Sequence, residues 1–248
     1  MSRKRIAVLA SGGGSNLQAV LDHFKQLGDK RAGDVVLVAS DRPDAGALRR
    51  ARAAGIRAVT IISSHTALGD ELEAIVERHS IDMIILAGYL QLVPAAVTRA
   101  YAGRMINVHP APLPEFGGAG MYGKRCHRAV LASGVKMSGP TVHFVDEVYD
   151  HGAVIAHWPV PVREGDDEDT LAARVLRAEH LLFPRVAQAV AAGELPLLAD
   201  GRLGRPYFRD DAAPPPFDPE LDDDTLGRQL DAARAAQINA QESRIPTI

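Results

Sequence analysis

The sequence predicts an α/β fold with an open, mostly parallel twisted sheet and helices on both faces. Two observations lead to this prediction. Short runs of valine, isoleucine and leucine recur along the chain, and stretches rich in alanine, arginine and glutamate lie between them. The apolar runs are continuous and do not alternate with polar residues, which is typical of strands that helices cover on both sides.

The first half of the chain alternates regularly between predicted strands and predicted helices. Parallel neighbours need a crossover connection, and a helix is the usual one. Gly28 and Gly55 lie where the first two helices are expected to end, since glycine is the common residue just past a helix C-terminus. The predicted strands span 5–10, 34–39, 57–62, 83–87 and 105–109, and the predicted helices span 16–27, 45–54, 67–79 and 95–101.

The pattern changes after residue 110. Three prolines, Pro110, Pro112 and Pro114, exclude a continuing strand or helix, and a glycine-rich loop follows over 117–123. Helical spacing of apolar residues predicts a helix near 126–133 and a long one over about 168–192. Two further strands are predicted at 141–145 and 153–162, and the main domain is predicted to cover 1–208.

Residues 209–248 are predicted to lie outside the main domain. The stretch 210–224 is acidic and rich in proline and carries no basic residue, which is typical of a linker and not of a packed element. A short amphipathic helix is predicted over 225–240, with Leu226 and Leu230 on one side. The sequence leaves open whether this helix docks on the main domain.

Composition excludes several functional classes. The 248 residues carry a net charge of -3, so the chain lacks the basic excess that binding to nucleic acid needs. No stretch approaches the roughly 20 apolar residues of a membrane-spanning helix. The single cysteine, Cys126, cannot form an internal disulfide, which favours a reducing cytoplasm. No metal is expected, because the histidines show no spacing typical of a zinc site.

A glycine-rich turn, residues 11–16, follows the first predicted strand and opens the first helix. Backbone N–H groups at such a turn face outward without side chains and form an anion site, most often for phosphate. The turn lacks a P-loop lysine, and Leu17 stands at the third glycine position of the dinucleotide fingerprint. A tight turn without a ligand is the alternative, and a nicotinamide-dependent dehydrogenase is the less favoured enzyme class.

The fifth strand is expected to present Asn107 and His109 on one face, because side chains two residues apart point the same way. They come at the carboxyl end of the strand, where open α/β sheets bind their ligands. An amide that donates to an oxyanion beside an imidazole that moves a proton suits a reaction through a tetrahedral intermediate. The alternative is that both side chains only satisfy loop backbone.

A carboxylate beside the imidazole would raise its pKa. Asp146, Glu147 and Asp150 all lie in the loop between the two later strands, and the residues themselves do not favour one of them. His143, inside a strand, is expected to be a packed polar residue. Cys126 is not expected to act as a nucleophile with its neighbour His127, since adjacent side chains diverge.

The chain resembles the phosphoribosylglycinamide formyltransferases over about residues 5–208. Four motifs carry the resemblance in order and spacing: Val8–Gln18, Leu86–Tyr89, Ile106–Pro110 with Leu113–Pro114, and Thr141–Val145 leading to Asp150–Gly152. The resemblance implies a Rossmann-like formyltransferase fold. It also implies transfer of a formyl group from 10-formyltetrahydrofolate, the co-substrate, to the amine of glycinamide ribonucleotide in purine synthesis, without a metal.

The resemblance also assigns roles to residues. Asn107 would polarise the formyl oxygen, His109 would transfer the proton, and Asp150 would raise the pKa of His109. Glu179 would contact the ribonucleotide. Gly14, Ser15 and Asn16 would hold its phosphate, and the folate pocket would be lined by Tyr89, Leu90, Gln91, Leu92, Val93, Asn107 and the backbone of Val145, Asp146 and Glu147 through Asp150. The oligomeric state stays open, a homodimer among the alternatives.

Three other functions are alternatives to this one. A 10-formyltetrahydrofolate deformylase resembles this chain in the same motifs, but its usual N-terminal regulatory domain has no room before the strand at residue 5. A methionyl-tRNA formyltransferase carries a C-terminal RNA-binding domain, and an acidic segment is a poor substitute for one. A non-catalytic folate- or nucleotide-binding module would not need a proton-transfer group beside an amide.

Overall fold

The structure, a computed structural model, describes residues 2–62, 68–208 and 213–242. Residue 67, the expected start of the third helix, lies outside this part. The strands are β1 (Lys4–Leu9), β2 (Gly33–Ser40), β3 (Arg57–Thr60), β4 (Met83–Leu86), β5 (Met105–His109), β6 (Met137–Ser138), β7 (Thr141–Phe144), β8 (Val154–His157) and β9 (Val160–Pro161). The helices are α1 (Ser15–Leu27), α2 (Gly46–Ala53), α3 (Leu68–Arg78), α4 (Ala95–Ala100), α5 (Lys124–Ser133), α6 (Glu168–Ala191) and α7 (Asp223–Glu242).

Seven strands form one sheet in the order β3-β2-β1-β4-β5-β7-β8. The first five are parallel, and β7 and β8 join antiparallel at one edge. The chain builds outward from β1 to β3 and then returns to place β4 on the other side of β1. This reversal leaves a crevice at the carboxyl ends of β1 and β4, the place where open α/β sheets bind ligands.

Helices cover both faces of the sheet, which confirms the predicted fold class. Ile6 and Val8 of β1 belong to one buried cluster together with residues of α1, α2, α5 and α6. Ala7 and Leu9 belong to a second cluster together with residues of α3 and α4. Alternation along a strand sends successive side chains to opposite faces, so the continuous apolar run of β1 serves two cores.

One predicted strand is divided in the structure. The run 153–162 was expected to form a single strand, but the chain breaks at Trp158 and Pro159. β8 completes the large sheet, while β9 pairs with β6 in a separate two-stranded sheet. Proline lacks the N–H that a ladder needs, which explains why the strand ends there.

The tail, residues 213–242, packs on the main body. Phe217 is 1% exposed, and its ring meets the Trp158 ring edge to face with centroids 5.2 Å apart. The Trp158 indole N–H donates to the Pro215 carbonyl at 2.9 Å. Leu226 and Leu230 of α7 are buried. This part of the tail therefore differs from the predicted linker.

The predicted boundary at residue 208 stays a prediction, because residues 209–212 lie outside the described part. Within the described residues, no helix combines the length and the apolar character that crossing a membrane requires.

Candidate active site

A cavity of about 450 Å³ lies in the crevice at the carboxyl ends of β4 and β5. The first turn of α1, the loop after β4, the loop after β7 and one face of α6 surround it. Most of the predicted site residues share this cavity. Those that line it are Asn16, Tyr89, Leu90, Gln91, Leu92, Val93, Asn107, His109, Val145, Asp146, Asp150 and Glu179.

Strand β5 brings Asn107 and His109 to the cavity, as the alternation predicts. His109 is buried and Asn107 half-buried. The antiparallel register places His143 of β7 directly opposite Asn107, so their side chains share one face. The Asn107 Nδ2 atom lies 3.1 Å from His143 Nε2 and 3.4 Å from Asp150 Oδ1. The pairing of β5 with β7 therefore brings Asn107 and His143 together in a polar cluster that also contains His109 and Asp150.

Asp150 is the carboxylate that reaches the imidazole. Its Oδ2 lies 3.4 Å from His109 Nδ1 and accepts the Gly118 N–H at 3.0 Å. The backbone at Asp150 has a φ of 53°, a left-handed conformation that aspartate tolerates better than most residues. The two other candidates point elsewhere: the Asp146 carboxylate lies 2.7 Å from His151, and Glu147 pairs with Arg99 at 2.7 Å.

The pKa values of this pair are set by burial and by each other. Burial lowers the pKa of His109, and it outweighs the opposing effects of the Asp150 charge and the Phe116 carbonyl. Burial raises the pKa of Asp150, but the His143 hydrogen bond, the His109 charge and the Gly118 N–H together hold it below its ordinary value. The expected direction of the Asp150 effect is present, yet the net pKa of His109 falls. At neutral pH the cluster therefore holds a neutral imidazole beside a carboxylate.

Both ring nitrogens of His109 face hydrogen-bond acceptors. The Nε2 atom lies 2.7 Å from the Phe116 carbonyl oxygen, and Nδ1 faces Asp150. A carbonyl oxygen only accepts, so the neutral ring carries its proton on Nε2. A second proton on Nδ1 would meet the Asp150 carboxylate, which prepares the site for a cationic imidazole.

The glycine-rich turn after β1 has the open backbone that the sequence predicts. A Cβ atom at Gly12 or Gly13 would meet no atom within 4 Å. Gly14, the N-cap residue just before α1, has a φ of 77°, and a Cβ there would lie 2.7 Å from Ala47 Cα. Of the three residues predicted to hold the phosphate, Asn16 lines the cavity, Gly14 does not, and Ser15 lines a separate cleft. Besides the Asn16 side chain, the turn offers a ligand only its backbone.

Glu179 of α6 closes the cavity beside this turn. Its carboxylate accepts a hydrogen bond from Asn16 Nδ2 at 2.6 Å, and the residue is 6% exposed. Burial raises the pKa of Glu179 from 4.5 to about 7, against the opposing effect of the Asn16 hydrogen bond. The Asn16 Oδ1 atom is buried without a hydrogen-bond partner in the described part of the chain. Two polar groups thus remain available to a bound molecule.

The opposite end of the cavity is apolar. The loop after β4, Tyr89 to Val93, forms one wall, and the Leu90 N–H donates to Ser11 Oγ at 3.0 Å. Val145, Val148 and Tyr149 form the facing wall. Glu147 was also predicted to line this pocket, but it does not line the cavity and pairs with Arg99 instead. This slot suits a flat, largely apolar ring system.

Three side chains at the site were not predicted to belong to it. His143 was expected to be merely packed, yet it lies 3.6 Å from Asp150 and lines the cavity. His127 also lines it, and burial with the nearby His109 charge lowers its pKa to about 4. Cys126 Sγ lies 3.6 Å from His109 Nε2, and burial raises the thiol pKa to about 12. The thiol therefore stays protonated.

Nothing local in the sequence marks these three residues, because strand register and helix docking bring His143 and His127 to the cavity and Cys126 to His109. Across the described residues, no group of three or more histidine, cysteine or acidic side chains could hold a metal ion.

Comparison with known proteins places this site in a family. The profile described as "Formyl transferase" matches residues 4–187. The Arabidopsis thaliana chloroplastic phosphoribosylglycinamide formyltransferase is 39% identical over 204 residues, which cover 80% of this chain and 69% of that protein. The Escherichia coli (strain K12) phosphoribosylglycinamide formyltransferase is 40% identical over 194 residues, covering 77% of this chain and 88% of that protein.

Solved structures agree with the sequence matches. Glycinamide ribonucleotide transformylase 1 from Symbiobacterium toebii superposes with a TM-score of 0.74 at 38% identity, covering 81% of this chain and 93% of that one. A formyltetrahydrofolate deformylase from Pseudomonas syringae gives a TM-score of 0.71 at 25% identity, covering 82% of this chain and 65% of that one. The chain therefore belongs to the formyl transferase family, within its phosphoribosylglycinamide formyltransferase branch.

Proposed function

We propose that this protein transfers the formyl group of 10-formyltetrahydrofolate to the amine of glycinamide ribonucleotide. The observation that carries the proposal is the position of the Asn107, His109 and Asp150 cluster. It lies between Asn16 and Glu179, next to the glycine-rich turn, at one end of the cavity and an apolar slot at the other. Family membership and the naming of the relatives support the same reaction.

The ribonucleotide occupies the end of the cavity beside α1. Its phosphate lies at the helix N-terminus, where the backbone of Gly14, Ser15 and Asn16 and the positive end of the helix dipole favour an anion. Glu179 contacts the glycinamide portion. Because its pKa is raised to about 7, Glu179 is present both as acid and as carboxylate near neutral pH and can donate or accept a hydrogen bond.

The folate occupies the slot between the loop 89–93 and the loop 145–150. Apolar walls hold the pterin ring by burial, and backbone groups of Val145 to Asp150 fix its orientation. In this proposal the folate N10 and its formyl group lie near the β5 residues. The co-substrate and the ribonucleotide thereby meet at Asn107 and His109.

The chemistry follows from the charge state of the cluster. The substrate amine attacks the formyl carbon, and the Asn107 amide donates a hydrogen bond to the oxygen that becomes negative. Neutral His109 accepts the proton that the amine loses, and the cation so formed is stabilised by the Asp150 carboxylate, 3.4 Å away. The C–N10 bond then breaks, and N10 leaves with the proton from His109.

We also propose a cytoplasmic setting. The single Cys126 is buried as a protonated thiol, which fits a reducing cytoplasm. A homodimer stays a prediction. Nucleic acid and membranes are not proposed as partners.

An absorbance assay of 10-formyltetrahydrofolate conversion, run with and without glycinamide ribonucleotide, tests the proposal. Conversion that depends on the ribonucleotide is expected. Conversion in its absence would instead identify a deformylase, in which water replaces the amine. No conversion under either condition would leave a binding module and refute the proposed activity.

A further inference from the structure

Helix α6 has two functional sides. Ala172, Leu176 and Glu179, at spacings of four and three residues, line the cavity. Arg177 and Arg185, eight residues apart, both contact the tail. Each residue turns the helix by about 100°, so Arg177 lies roughly 160° around the axis from Glu179. One side of the helix serves the ligand, and the other is held by the tail.

Arg177 contacts several residues of the tail at once. Its Nε donates to the Asp223 carboxylate at 2.5 Å, Nη1 donates to the Pro219 carbonyl at 2.9 Å, and Nη2 donates to the Leu221 carbonyl. The guanidinium also lies over the Phe217 ring, 5.4 Å from its centroid. Only arginine carries a fork of donors that can serve a carboxylate and two carbonyls at once.

Further contacts extend this attachment along α6. Arg185 forms an ion pair with Asp231 of α7 at 2.8 Å, and Arg234 of α7 reaches Glu194, just past the end of α6, at 2.7 Å. Leu226 and Leu230, which lie between Asp223 and Asp231 in the sequence, are fully buried. The matched family region ends at residue 187, so the tail is a feature of this chain outside that region.

We propose that Arg177 is a positioning residue: by holding the tail against α6 it fixes the Glu179 carboxyl group for the ribonucleotide. This inference rests on the proposed function. The 2.6 Å hydrogen bond from Asn16 to Glu179 joins α1 to α6 across the cavity, so a small movement of α6 opens it. Asn107 and His109 lie on β5 and form their hydrogen bonds with residues outside α6, so we expect the chemical step to be less sensitive to the position of α6 than ribonucleotide binding is.

The coupling must be reciprocal. If the tail stabilises the geometry that binds the ribonucleotide, then the ribonucleotide must stabilise the docked tail by the same factor. Trp158 is the single tryptophan of the chain, and it lies between β8 and the tail. Its fluorescence therefore reports tail docking without any turnover.

The test compares Arg177→Ala with Arg163→Ala in the full chain. Arg163 also holds the tail, through an exposed pair with Glu220 at 3.1 Å, but it precedes α6 and is the matched control. Arg177→Ala is expected to raise the KM for the ribonucleotide at least about fivefold, the lower end of typical coupling, with kcat changed less than about twofold. Its Trp158 emission should shift to the red and become more accessible to acrylamide. Arg163→Ala should leave KM and emission near the wild-type values.

Two further variants test whether the effect of Arg177→Ala comes only from misfolding. Asp223→Ala removes the partner from the tail side and should raise KM in the same direction by a smaller factor. Arg177→Lys keeps the charge without the fork and should give an intermediate KM. In the wild type, glycinamide ribonucleotide alone should reduce acrylamide quenching of Trp158.

A red-shifted Arg177→Ala protein with an unchanged KM would overturn the inference, and so would an unchanged emission spectrum. A loss of kcat equal to the loss in kcat/KM would also overturn it, since positioning for binding would then not be the effect. If the wild type binds the ribonucleotide without turnover, the proposed function fails, and the calorimetric Kd of each variant then decides the inference in place of KM.

Discussion

Replacing Glu179 by glutamine removes a titrating group from a position that is only 6% exposed. Burial raises the pKa of this carboxyl group from 4.5 to about 7, so the folded protein binds a proton there more tightly than the unfolded chain does. Between these two pH values the folded state holds more protons, and the free energy of unfolding must fall as the pH rises. Below pH 4.5 this loss of unfolding free energy is absent, and above pH 7 it has reached its full size.

The size of the effect follows from the same two values. A displacement from 4.5 to about 7 corresponds to about 3 kcal/mol, at about 1.4 kcal/mol for each pH unit. Glutamine has nearly the same shape and carries no charge at any pH. The variant should therefore gain about 3 kcal/mol over the wild type between pH 4.5 and pH 8. For a chain of this size that gain is about 6 to 12 °C in Tm.

Urea denaturation of both proteins at several pH values measures this difference directly. All other titrating groups are common to the two proteins and cancel in the comparison. Asp224→Asn, a change at an exposed carboxylate of the tail, is the control and should show no such trend. A Glu179→Gln advantage that is the same at pH 5 and pH 8 would refute the reasoning, because it would show that Glu179 titrates alike in the folded and unfolded states.

Three further outcomes are expected. Asn107→Ala should lower turnover at least about a hundredfold with an unchanged Tm, because one oxyanion donor contributes about 3 to 4 kcal/mol; near-normal rates would contradict the assigned role. Gly14→Ala should weaken ribonucleotide binding and lower Tm, since its Cβ would lie 2.7 Å from Ala47 Cα at a φ of 77°; wild-type values in calorimetry and melting would argue against this. Arg174→Ala should cost about 1.5 to 3 kcal/mol in urea denaturation, because it removes the guanidinium 2.7 Å from Asp166 and leaves that carboxylate only the Arg163 N–H and the Thr170 hydroxyl as donors; a loss below about 0.5 kcal/mol would show that water replaces the arginine.

The sequence predicts the parts of this fold that depend on local periodicity. The apolar runs identify β1 to β5, and the alternation within β5 correctly places Asn107 and His109 on one side. The split of 153–162 into β8 and β9 was missed although Pro159 stands in the run. Proline at that position is compatible with an edge strand, so the sequence alone does not decide between one continuous edge strand and two short strands. The partner strands decide it.

The candidate site is less predictable where it depends on distant contacts. Asp146, Glu147 and Asp150 look alike as acidic loop residues, and the left-handed backbone at Asp150 selects it by turning its side chain inward. His143 joins the site through the register of β5 and β7, which a single chain segment does not contain. The acidic, proline-rich composition of the tail predicted a linker. Composition does not show that a single side chain, Phe217, is buried against the main body.

The hydrogen bond from His109 Nε2 to the Phe116 carbonyl has a consequence for the tautomer of the resting imidazole. Because the carbonyl only accepts, it keeps the ring proton on Nε2, and the nitrogen that can accept a further proton is Nδ1, beside Asp150. The backbone at residue 116 therefore decides which ring nitrogen is basic. A shift of this loop that removed the carbonyl would release the Nε2 proton, so loop conformation and the basicity of each ring nitrogen are linked.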